Sequence, residues 1–106
     1  TFNSTTAFNQ DLSGWDVSNV ENFSGTFNEA IAFNQPLNSW NVSNGKNFAA
    51  MFNRASSFDQ PLNTWNLSNA VDIGSMFLEA VKFNQPLASW NVSNVINMAS
   101  TFSNAL

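Results

Sequence analysis

The chain is 106 residues long, 43% hydrophobic and only 9% charged, with a formal charge of -4 and neither Cys nor His. One domain is the limit at this length. Three Lys+Arg against seven Asp+Glu leave no basic stripe for nucleic acid or an anionic membrane, and without Cys or His there is no disulfide, thiol chemistry, Cys/His zinc site or His-based triad.

Taken in chain order, the residues repeat. Phe2, Phe27, Phe52, Phe77 and Phe102 lie 25 residues apart, as do Phe8, Phe33, Phe58 and Phe83, and then Leu12, Leu37, Leu62 and Leu87. All four Trp form one column, Trp15, Trp40, Trp65 and Trp90, followed by Val17, Val42, Leu67 and Val92. Residues 1–106 are therefore expected to form a single solenoid of about four repeats, a segment of a longer array. A 25-residue period falls within the roughly 20 to 29 residues of leucine-rich repeats and short of helix-pair repeats. The predicted fold class is an α/β repeat solenoid, a leucine-rich-repeat-like right-handed coil with one short parallel strand and one short helix per repeat.

Within a repeat the strand is expected at Leu37, Trp40 and Val42, read as L-x-x-W-x-V, with Trp40 and Val42 on one face. Pro36, Pro61 and Pro86 precede it, where a missing N–H harms a ladder least. The apolar spacing then lengthens: Val20, Phe23, Phe27 and Ala30 fall on one stripe of a short helix. Ser18 and Glu21 make a capping box for it, and Ser43, Ser68 and Ser93 cap the others. Phe33, Asn34 and Gln35 close the repeat. Stacking buries the Leu, Trp, Val and Phe columns against neighbouring repeats. It also brings Glu29, Arg54 and Glu79 together, and Glu21 onto Lys46, so that opposite charges meet.

The stretch F-N-Q-P-L-x-x-W-N-V-S-N-V-x-N-M from Phe83 to Met98, with Met51-Phe52-Asn53-Arg54-Ala55, resembles the bacterial surface protein repeat, a leucine-rich-repeat-like family related to BspA-type proteins. The resemblance covers the whole chain. It implies an extracellular or cell-surface protein that makes binding contacts, with no activity, cofactor or catalytic residues. One departure from standard leucine-rich repeats is that the ninth position holds Val20, Gly45, Ala70 and Val95 instead of Asn. An internal Asn ladder is then expected from Asn19 and its equivalents, or from Asn22, Asn47 and Asn97.

The candidate interaction face is the set of polar positions between the inward apolar residues: Asp16; Ser39, Asn41, Ser43; Thr64, Asn66, Ser68; and Ser89, Asn91, Ser93. Such a face in a horseshoe binds partners, here a protein or a glycan. The competing reading is an Asn41, Asn66, Asn91 hydrogen-bonded ladder serving the fold, with Asp16 as its one discontinuity because a carboxylate cannot donate. Exposed Trp and Asn columns would instead make a carbohydrate-binding module, although core packing of the Trp column is the simpler reading.

The seven carboxylates are scattered and fit neither a glycosidase pair nor a calcium loop, leaving a fortuitous Ca²⁺ at Asp16 as the alternative to solvated charge. The N-x-[ST] matches at Asn3, Asn22, Asn41, Asn66 and Asn91 arise from composition unless the source glycosylates them. No metal, cofactor, catalytic residue or targeting signal is read in this segment, and no membrane insertion by it. The expected function is a non-catalytic module for adhesion, protein–protein interaction or structural spacing. Thr1 to Thr6 and Thr101 to Leu106 share one phase of the repeat without a divergent cap, so end-to-end self-association or flanking repeats are expected.

Overall fold

A computed structural model of the chain describes residues 3–102. The 25-residue register holds through all of them. Phe33 stacks on Phe8 and Phe58 with ring centroids 5.8 and 6.0 Å apart, and Phe52 stacks on Phe27 and Phe77 at 5.5 Å each. Within one repeat Phe27 meets Phe33 at 4.3 Å, and Trp40 tilts over Phe23 and Phe27 at 6.3 and 6.0 Å. A continuous aromatic core results, and the inner Leu, Trp, Val and Phe columns are buried in it as expected. Phe2 lies outside the described residues.

The local structure differs from the expectation. Among the described residues there is no helix, and the β structure is one row of isolated parallel bridges, Asn22 to Asn47, Asn47 to Asp72 and Asp72 to Asn97. The α/β solenoid with a strand and a helix in each repeat is therefore replaced by a compact globule built from turns. Its radius of gyration is 12.3 Å, close to the ~13 Å of a compact chain of about 100 residues.

The helix fails because its backbone donors are used elsewhere. The N–H groups of Phe23, Gly25, Phe27 and Glu29 donate to the carbonyls of Asn47, Ala49, Met51 and Asn53 in the next repeat, at 2.8, 3.0, 2.8 and 2.7 Å. The alternate N–H groups of Thr26, Asn28 and Ala30 close turns onto Phe23, Gly25 and Phe27. Gly25 and Glu29 have φ of 66° and 59°, a left-handed conformation that no right-handed helix contains. Ser18 and Ser43, expected as helix caps, instead donate their hydroxyls to Asp16 Oδ1 and Asn41 Oδ1.

The strand fails for a complementary reason. Trp40 N–H donates to Leu37 O at 3.0 Å and Gly45 N–H to Val42 O at 2.8 Å, so the expected strand is folded into two turns. Here side chains join the repeats: Trp40 Nε1–H donates to Leu12 O at 2.9 Å, Ser39 Oγ–H to Ser13 O at 2.9 Å and Asn44 Nδ2–H to Ser18 O at 2.7 Å. One side of each repeat is thus tied by backbone and the other by side chains.

Candidate functional site

The ten residues of the predicted face all reach the surface, in aligned columns. Their polar atoms serve the turns. Asn41 Oδ1 accepts the Ser43 N–H at 3.1 Å and its hydroxyl at 2.7 Å; Asn66 and Asn91 accept the N–H of Ser68 and Ser93 at 2.9 and 3.0 Å. These are Asx turns, in which a side-chain oxygen mimics a turn carbonyl. Ser39, Thr64 and Ser89 donate their hydroxyls to the carbonyls of Ser13, Asn38 and Asn63 in the preceding repeat. The Asn41, Asn66 and Asn91 oxygens thus bond within their own repeats, where an inter-repeat ladder was the competing expectation.

The ladder forms at two other columns. Asn44, Asn69 and Asn94, the equivalents of Asn19, donate to Ser18 O, Ser43 O and Ser68 O at 2.7, 2.8 and 2.7 Å. The second belongs to the Phe-Asn-Gln motif. Asn9 Oδ1 accepts the Asn34 N–H and the Gln35 amide at 2.9 and 3.1 Å. Asn34 does the same for Asp59 and Gln60, and Asp59 for Asn84 and Gln85. Asn22, Asn47 and Asn97 close Asx turns onto Ser24, Ala49 and Ala99.

Asp16 is no discontinuity. Its Oδ1 accepts the Ser18 N–H at 3.0 Å and hydroxyl at 2.6 Å, as Asn41 Oδ1 does, and accepting is all that this position requires. The Ser18 hydroxyl and then its N–H hold the Asp16 carboxyl below the usual carboxylate range. The N–H of Ser13 does the same for Asp11. No group of three or more Asp or Glu that could hold a metal occurs among the described residues.

Two concave places were not singled out in the sequence. A cleft of about 240 Å³ opens beside Trp15, Val20, Phe23 and Trp40. A lateral notch of about 410 Å³ is lined by Glu29, Arg54 and Glu79 together with Ile31, Ser56 and Val81. The charged column was legible as a register signal. Arg54 Nη1 lies 3.2 Å from Glu29 Oε2 and its Nε 3.9 Å from Glu79 Oε1, while Lys46 pairs with Glu21 at 3.3 Å. The Ile31, Ser56, Val81 column carried no signal, because each residue follows a buried Ala at the second place of a turn and its exposure depends on that turn.

Compared with known proteins, residues 1–106 match the family described as Mycoplasma protein of unknown function, DUF285. The chain belongs to this family. Neither a curated protein nor a solved structure gives a match. Since the DUF285 match spans the whole chain, it includes the turn columns, both ladders and the lateral notch.

Proposed function

We propose that this DUF285 chain is a non-catalytic repeat module of a secreted or cell-surface protein, serving adhesion, protein–protein interaction or structural spacing. The supporting observation is how the polar groups are used. At every 25-residue step, Asn, Gln and Trp donors and a Ser or Thr hydroxyl tie one repeat to the next, an arrangement suited to holding a surface of constant shape. The extracellular placement rests on the likeness of the Phe83 to Met98 motif to BspA-type surface repeats.

The carbohydrate-binding alternative needs accessible rings, and Trp40 and Trp65 are only 5% and 3% exposed. Their indole N–H groups are also engaged by the carbonyls of Leu12 and Leu37. Stern–Volmer quenching by iodide should therefore leave the emission of Trp40 and Trp65 protected, the accessible fraction coming from the end-repeat Trp15, 51% exposed, and the partly buried Trp90.

An antibody raised against the chain, applied to source cells before and after lysis, tests the reading. Labelling of intact cells, abolished by brief external protease, is expected. Labelling that appears only after lysis would overturn the surface assignment.

A further inference from the structure

The lateral notch deepens the reading of the chain as a binding module, on which it rests, by giving a partner chemistry. Glu29, Arg54 and Glu79 occupy the same place in successive repeats, and all three have left-handed backbone, φ 59°, 59° and 56°. That conformation disfavours any residue with a Cβ, so the turn by itself would select Gly or Asn. The same conformation recurs at Ser4 in this column and at Gly25, Ala50, Ser75 and Ser100 in another, so it belongs to the repeated turn, and it sets where the three long charged side chains leave the backbone.

The three charges are unequally satisfied. Glu29 is fully engaged: its Oε1 accepts the Ser4 hydroxyl and its Oε2 the Arg54 Nη1–H, each at 3.2 Å. Glu79 Oε1 stands 3.9 Å from Arg54 Nε, an ion pair too long to be a hydrogen bond. With Arg54 matched by Glu29, one negative charge is left over at the edge of a groove. The shoulders of that groove are Ile31 and Val81, each 45% exposed, and between them the column narrows to Ser56.

We propose that this notch seats a lysine side chain of a protein partner. The methylene stem lies over Ser56 between Ile31 and Val81, and the ammonium meets the Glu79 carboxylate. Lysine is the side chain that joins an apolar stem to a compact cation, and the notch of about 410 Å³ has room for it. A wholly apolar group would desolvate Glu79 without pairing it, and an acidic one would be repelled by it. The net charge of -4 favours the approach of a basic partner.

The test is an amide NMR titration of the full ¹⁵N-labelled chain with N-acetyl-lysine amide and, in parallel, with N-acetyl-norleucine amide, which keeps the stem and lacks the charge. Saturable shifts clustered at Ile31, Ser56, Glu79 and Val81 are expected with the lysine probe. Norleucine should bind about fivefold more weakly, as should lysine to Glu79→Gln, the loss of one exposed ion pair. Ser56→Leu, which fills the notch and keeps the charge, should weaken both probes. Shifts spread alike over Asp11, Asp16 and Glu21, or binding unchanged by both substitutions in a folded chain, would overturn the proposal. The titration uses the isolated chain and so is independent of its location. A failed titration with successful surface labelling removes the lysine seat alone, whereas the converse removes the surface assignment alone.

Discussion

At Gly25, Ala50 and Ser75 the same backbone conformation, φ 66°, 56° and 57°, is imposed on three different residues. Ala50→Gly relieves a left-handed strain of about 1–2 kcal/mol at a backbone entropy cost of about 0.5–1 kcal/mol. It is expected to stabilise the chain by up to about 1 kcal/mol in urea unfolding. Gly45 is constrained differently, by space: a Cβ there would lie 2.4 Å from Phe48 Cζ and 3.0 Å from Phe23 Cε2. Gly45→Ala must therefore push apart two rings stacked at 5.2 Å, with an expected cost of about 1–3 kcal/mol. Ala70 is accommodated one repeat later, where Ile73 stands at the place of Phe48.

Asp16 gives a pH prediction. Its carboxyl is held below the ordinary range by the Ser18 hydroxyl and N–H, so the charged form is favoured by folding. That contribution is complete above the unfolded value of about 3.9 and is lost as pH falls through the lower folded value. Asp16→Asn keeps the accepting oxygen and removes the titration. The two proteins should match in stability near neutrality, and thermal melts at successively lower pH should favour the Asn variant.

The repeated element is an alternation of turns, and this explains what was legible in the residues. Phe27 and Phe33, with Leu37, Trp40 and Val42, announced both the 25-residue period and the core, because a column of like apolar residues has only one way to be buried. Their local conformation was not legible. A turn closed by an N–H to the carbonyl three residues back places apolar residues at i and i+3, the spacing that also marks one face of a helix. Phe48 with Met51, and Ala55 with Phe58, are such turn ends.

The residues of the candidate face lie at the surface, but the use of their oxygens depends on Asx turns that the one-letter pattern Asn-Val-Ser does not distinguish from a ladder. The Phe-Asn-Gln ladder admits a test at this scale. Asn34 Oδ1 accepts two bonds from the next repeat, to the Asp59 N–H and the Gln60 amide, and Asp59 does the same work one repeat on. Asn34→Asp keeps both accepted bonds and adds a carboxylate one step from Asp59, so it is expected to cost less than about 0.5 kcal/mol at physiological salt. Asn34→Ala should lower it by about 1–2 kcal/mol, the net worth of two exposed bonds. Equal losses in the two variants, measured by denaturant unfolding, would remove the acceptor role assigned to this column.

Across the whole molecule each repeat offers the next the same columns, and the end repeats show what happens when the series is not covered. Met98 and Phe102 are 49% and 50% exposed, whereas Phe48, Ile73, Phe52 and Phe77 in the same columns are 0–1% exposed. At the other end Trp15 is 51% exposed against 5% for Trp40 and 3% for Trp65. A repeat set in register on either face, from the same chain or another, would cover these side chains, and a head-to-tail contact of that kind does not close on itself. Only the -4 net charge opposes the approach, and salt of physiological strength screens it within about 8 Å. The isolated 106-residue chain is therefore expected to associate reversibly, with a sedimentation-average mass that rises with concentration and with salt. Met98→Lys places a cation on the stacking face and should abolish the rise. Ile31→Lys makes the same change of charge on the lateral surface and should leave it intact. If both variants behave alike, association proceeds through charge or through another surface. If the parent chain stays monomeric at millimolar concentration, the exposed columns do not act as a docking face.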